Sequence, residues 1–125
     1  MFDMKITKIP VGWYNIFNLR YVLAAHLNSE NGKPYLQVQE RVDSKKNIPL
    51  EMNKQYSVEM VHAAEIFSVK VNGQQVWQKN SDSATYQNVK FYWSDPFKSS
   101  AGEVAILSMP NIRQGMYLST YSWAV

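Results

Sequence analysis

The side chains in this chain that could do chemistry are few and scattered. Histidine occurs only at His26 and His62, and cysteine is absent. With no thiolate and no paired-histidine spacing, a catalytic zinc has no ligand set, and disulfides and cysteine nucleophiles are excluded. Ser57 and Ser68 fall in strand-like stretches without the Gly-x-Ser-x-Gly turn that exposes a serine nucleophile. Glu40, Glu51, Glu59, Glu65 and Glu103 stand apart from one another, whereas glycoside hydrolysis needs two carboxylates flanking one bond. No glycine-rich phosphate loop is present. Asp43, Asp82 and Asp95 form no dense oxygen cluster of the kind calcium requires. The expectation is a protein that is not an enzyme and uses no metal or cofactor.

Recognition chemistry is better represented. Tyr35, Gln37, Gln39 and Arg41 alternate with Leu36, Val38 and Val42, so a strand here places the polar set on one face. His26 and Asn28, on the preceding segment, become their neighbours across an Asn31-Gly32 turn. A sugar offers flat apolar faces and hydroxyl edges. Binding it takes a ring to stack on and planar polar groups to pair with the hydroxyls. Trp77 and Tyr92 have the opposite parity from their core neighbours and provide a second candidate platform; Trp13 beside Tyr14 raises the same question. The candidate ligand-binding set is therefore His26, Asn28, Tyr35, Gln37, Gln39, Arg41, Trp77 and Tyr92. The competing reading is a solvated sheet face with a satisfied histidine, and rings buried between two layers.

The elements that must position these groups read as strands. Phe67, Val69 and Val71 alternate with Ser68 and Lys70, and Asn72-Gly73 follows at once. That pair accepts positive φ at both central positions of a type I′ hairpin turn. Gln74 to Lys79 returns, and Val89, Phe91 and Trp93 repeat the pattern, so a three-stranded meander is expected over Glu65 to Trp93. Upstream, Phe2 to Lys8, Gly12 to Arg20, Tyr35 to Val42 and Gln55 to His62 read as strands. Tyr21 to Asn28 could form two helical turns, but the Asn31-Gly32 signal favours a strand. Asp43 to Asn47 reads as a charged turn, Glu103 to Met109 as a late strand, and Met116 to Val125 as a terminal strand or subunit contact. Nine or ten short strands joined by Gly, Asn, Pro and Asp turns imply a single all-β domain over residues 1–125, an antiparallel two-sheet β-sandwich.

Composition agrees. The hydrophobic share of 46% and charged share of 18% are those of a folded globule, not a disordered chain. The net charge of +3 is dispersed, with Lys45-Lys46 the only adjacent basic pair, which argues against nucleic acid as a partner. No stretch approaches the ~18 apolar residues of a spanning helix, so membrane insertion is not expected.

Phe67 to Trp77, followed by Tyr86-Gln87-Asn88-Val89-Lys90-Phe91-Tyr92-Trp93-Ser94-Asp95-Pro96-Phe97, resembles the C-terminal half of a concanavalin A-like or laminin-G-like jelly-roll module of extracellular animal proteins. Ala25-His26-Leu27-Asn28-Ser29-Glu30 is also similar to the start of a galectin His-x-Asn-x-Arg motif, with Glu30 where the arginine would be and no Trp-x-x-Glu following. The resemblance implies a jelly-roll fold and a secreted, lectin-like, carbohydrate-binding module. The alternative is a structural or self-assembling protein that uses the sandwich as an adhesive or oligomerisation scaffold. Relative to such modules the chain starts one strand late and continues past the last strand. The expectation is that Tyr117 to Val125 fills the missing edge or pairs with a second subunit in a homo-oligomer.

Overall fold

The structure, a computed structural model, describes residues 1–19, 23–41, 44–63, 65–81, 89–92, 99–108 and 121–124. The strands are β1 (Phe2–Ile6), β2 (Tyr14–Leu19), β3 (Leu23–Glu30), β4 (Lys33–Glu40), β5 (Ser44–Pro49), β6 (Gln55–Ala63), β7 (Ile66–Val71), β8 (Gln74–Asn80), β9 (Val89–Tyr92), β10 (Ser99–Ser100), β11 (Ala105–Leu107) and β12 (Tyr121–Ala124). A 3-10 turn, Ala101–Glu103, precedes β11. The protein is an all-β, two-sheet sandwich. One sheet runs β11-β1-β6-β7-β8, and the other runs β12-β9-β2-β3-β4-β5 with β10 also paired to β2. Neighbours are antiparallel except β9–β12 and β2–β10, which are parallel.

Local chemistry accounts for the hairpins. Asn31 (φ 53°) and Gly32 (φ 74°) join β3 to β4, and Asn72 (φ 52°) and Gly73 (φ 80°) join β7 to β8. All four lie in the left-handed region that a type I′ turn demands. Asn72 is fastened as well: its Oδ1 accepts from the Ser57 amide at 2.8 Å, and its own amide donates to the Ser57 carbonyl at 2.8 Å. The segment that could have been helix or strand is β3, paired along its whole length with β4. The chain's C-terminal strand β12 lies at the edge of the larger sheet, against β9.

Alternation builds the core. Met4, Ile6, Val58, Phe67 and Val69 from one sheet meet Ile16, Leu19, Leu27, Leu36 and Val38 from the other, all buried. Each such side chain contributes roughly 1.5–3 kcal/mol on leaving water. Phe2 and Phe17 join the layers edge to face, with centroids 5.9 Å apart.

Two expectations need correction. The third strand of the expected meander does not follow β8: β8 ends its sheet, and β9 crosses to the other one, where it pairs with β2 and β12. The segment between Asn80 and Val89 is long enough to change layers, and alternation alone carries no information about which sheet a strand joins. The charged stretch read as a turn is mostly β5, whose Ser44, Lys45, Lys46 and Asn47 pair with Glu40, Gln39, Val38 and Gln37. Lysines and a proline are residues that disfavour edge-to-edge pairing on an outermost strand.

Candidate functional site

The outer face of β2–β5 gathers most of the expected polar set. Register puts Asn15, His26, Gln37 and Asn47 in one row across four strands. The next row holds Asn28 and Tyr35, and the row on the other side holds Asn18, Ala24, Gln39 and Lys45. Gln37 Nε2 donates to Asn47 Oδ1 at 3.0 Å. Asn28 Oδ1 accepts from the Ser29 amide at 2.8 Å, and Ser29 Oγ donates to the Pro10 carbonyl at 2.6 Å, which ties the segment before β2 to the end of β3. Trp13, at the end of that segment, stands edge-on to His26 and to Tyr35, each with ring centroids 6.1 Å away. It remains 40% exposed. The result is an indole held in a fixed pose by two other rings and open to solvent, at one end of a strand that carries half-buried Tyr35, Gln37 and Gln39 in turn.

His26 and Asn15 are the floor of this face. Both are buried, His26 beneath the Trp13 contact. His26 therefore props the indole and is not itself a contact surface. Asn15 is 1% exposed, and neither its Nδ2 nor its Oδ1 has a partner among the described residues. A buried amide left in that state costs about 1–3 kcal/mol.

Three of the expected site residues fall elsewhere or outside description. Arg41 leaves the face because β4 ends at Glu40 and Arg41 takes φ 61°; its Nε lies 3.7 Å from Glu40 Oε1. Trp77 is on the other sheet and faces inward, with its ring 5.5 Å from that of Phe67. Its parity misleads because the register slips between β7 and β8: Val69 pairs with Trp77 but Lys70 with Gln75, so Val76 is the extra residue of a bulge. Tyr92 lies in β9 at the register position of Asn18, next to the polar face; its side chain is outside the described residues.

A second cluster, which was not anticipated, lies in the seam between the sheets. Glu40 falls on the core row of β4 and is 1% exposed. Ser81 Oγ donates to Glu40 Oε1 at 2.5 Å, and His62 Nε2 lies 2.8 Å from the same hydroxyl. Because that hydroxyl commits its proton to the carboxylate, the imidazole carries its proton on Nε2 and donates. Lys79 Nζ is 3.6 Å from Glu40 Oε2 and 2.6 Å from Ser44 Oγ. Burial pushes the His62 pKa below its usual value; Glu40 opposes that shift, while Arg41 and Lys79 add to it. The serine sits between the histidine and the acid and is itself buried. This is an inter-sheet tie, not the order in which an acid orients a base toward a nucleophile. Among the described residues no group of His, Asp or Glu side chains is placed to hold a metal.

Comparison with known proteins adds nothing to this geometry: no family model, no curated protein and no solved structure matches the chain.

Proposed function

We propose that this protein is a non-catalytic binding module that takes carbohydrate on the outer face of β2–β5. The observation that carries the reading is Trp13, an exposed indole fixed edge-on by His26 and Tyr35 beside the Gln37–Asn47 amide pair. Stacking on an aromatic ring and hydrogen bonding by planar amides are the two interactions a sugar needs from a protein. The contact set is Trp13, Asn28, Tyr35, Gln37, Gln39 and Asn47, with His26 as the support beneath. A two-sheet sandwich is compatible with the concanavalin A-like jelly roll that the meander residues resemble, and that resemblance suggests a secreted protein. It is a fold-level analogy and adds less weight than the face itself.

The alternative, a self-assembling scaffold with residues 116–125 as the subunit contact, has less support, because Tyr121–Ala124 pair with β9 of the same chain. The test is a glycan panel read by thermal shift and by intrinsic tryptophan fluorescence, repeated with Trp13→Ala and Arg41→Ala. Binding should vanish in the first variant and persist in the second, whose side chain is paired with Glu40. Binding that survives Trp13→Ala, or is absent throughout the panel, removes the proposal.

A further inference from the structure

The carbohydrate reading leaves open what kind of glycan this face takes. Among the described residues of β3–β5 the charges on the face lie at its ends. Glu30 and Lys33 oppose each other at the hairpin end, and Lys45 sits beside Gln39 at the other. Between them the described outward side chains of β3–β5 are Asn28, Tyr35, Gln37, Asn47, Pro49 and the buried His26, without a carboxylate, ammonium or guanidinium. A carboxylate or sulfate set here would exchange its hydration for neutral amides, an unfavourable exchange unless a cation compensates. Hydroxyls suit these amides well, since each amide both donates and accepts.

The Gln37–Asn47 pair makes the match more specific. One Gln37 N–H is engaged by Asn47 Oδ1 at 3.0 Å. With that bond made, Gln37 keeps its carbonyl oxygen and one N–H, and Asn47 keeps its amino group, for a ligand. Two adjacent hydroxyls on a sugar ring, one donating and one accepting, complement that arrangement. Tyr35 and Gln39 lie about 14 Å apart along β4 at ~3.4 Å per residue, which is longer than one pyranose ring. The Trp13–Tyr35 platform stands at one end of that run, the amide pair in the middle and Gln39 beyond.

Resting on the carbohydrate reading above, we infer that the occupant is an uncharged oligosaccharide lying along β4. One ring stacks on Trp13, and a following ring offers a vicinal diol to Gln37 and Asn47. Acidic glycans, whether sialylated, uronic or sulfated, are disfavoured at these positions.

The experiment is calorimetric titration of the full chain at low and high salt. The probes are neutral hexose trisaccharides of different linkage, their monosaccharides, and sialylated and sulfated oligosaccharides. The expected result is that a neutral trisaccharide binds about tenfold or more tighter than its monosaccharide, with an affinity unmoved by salt. Gln37→Leu should then weaken it on the order of tenfold, the loss of a hydrogen bond, while Lys45→Ala leaves it unchanged. Tighter binding of the acidic glycans, lost in high salt and in Lys45→Ala, overturns this inference while the lectin reading stands. Equal affinity for monosaccharide and trisaccharide also overturns it. Failure of every glycan removes the lectin reading itself.

Discussion

Replacing Ser81 with alanine should destabilise the protein more than the loss of one surface hydroxyl would suggest. The hydroxyl donates to a carboxylate that is 1% exposed, at 2.5 Å, the length of a charge-assisted bond. The cations near Glu40 do not replace it: Arg41 Nε stays 3.7 Å from Oε1 and Lys79 Nζ 3.6 Å from Oε2, both beyond hydrogen-bond range. Ser81→Ala therefore removes a hydrogen bond to a charged group, about 1.5–3 kcal/mol. For a chain of this size that is a fall in Tm of about 6–12 °C, at roughly 4 °C per kcal/mol. The assay is thermal and urea unfolding of the parent, Ser81→Ala, Glu40→Gln and the double variant. Arg41 and Lys79 are each 26% exposed and can turn to water when the carboxylate is neutralised. The two substitutions should therefore not add, with a coupling on the order of 1 kcal/mol. A Ser81→Ala protein melting within about 2 °C of the parent, or a strictly additive cycle, would refute the inter-sheet tie.

The same cluster predicts a pH dependence. His62 is held neutral by burial, with its pKa below the ordinary 6.5, so the folded chain binds fewer protons than the unfolded one. The stability this group contributes is present above pH 6.5 and lost as pH falls from there through the depressed value. Melting curves should show the parent losing stability on acidification across that window and His62→Gln losing less; identical slopes would count against it. At the β7–β8 turn, Gly73→Ala meets no atom within 4 Å of the added methyl, so its cost is backbone strain alone at φ 80°. The expected loss is about 1–2 kcal/mol by urea titration, with the sheet otherwise unchanged, and a neutral result would deny the type I′ assignment.

What could be read from the sequence was local. Asn31-Gly32 and Asn72-Gly73 announce their turns because positive φ is a property of the dipeptide itself. The alternation of Leu36 and Val38 against Tyr35, Gln37 and Gln39 gave both the inner and the outer row of β4. What could not be read depends on distant partners or on a single inserted residue. The bulge at Val76 turned Trp77 inward, and the slip between Asn15 and Phe17 hid Asn15 in the polar row. The layer β9 joins is not encoded in its own four residues. Trp13 was visible as an aromatic, but its place over His26 and Tyr35 depends on the segment before β2 folding back onto the end of β3.

Glu40 shows most clearly why a lone carboxylate in a sequence says little. Its partner Ser81 is 41 residues away and reaches it from the end of the opposite sheet. The alternation that turns Gln37 and Gln39 outward also drives Glu40 inward, so the recognition face and the buried charge are consequences of one register. A one-residue slip of β4 would turn Leu36 and Val38 to water and bury the glutamines. It would also pull Glu40 away from Ser81 and Lys79, which sit on a sheet that does not slip with it. The ionic tie gains little net stability over a well-packed apolar group. What it adds is a penalty for every other register of the strand that carries Tyr35, Gln37 and Gln39, which keeps the proposed ligand contacts on the outer face.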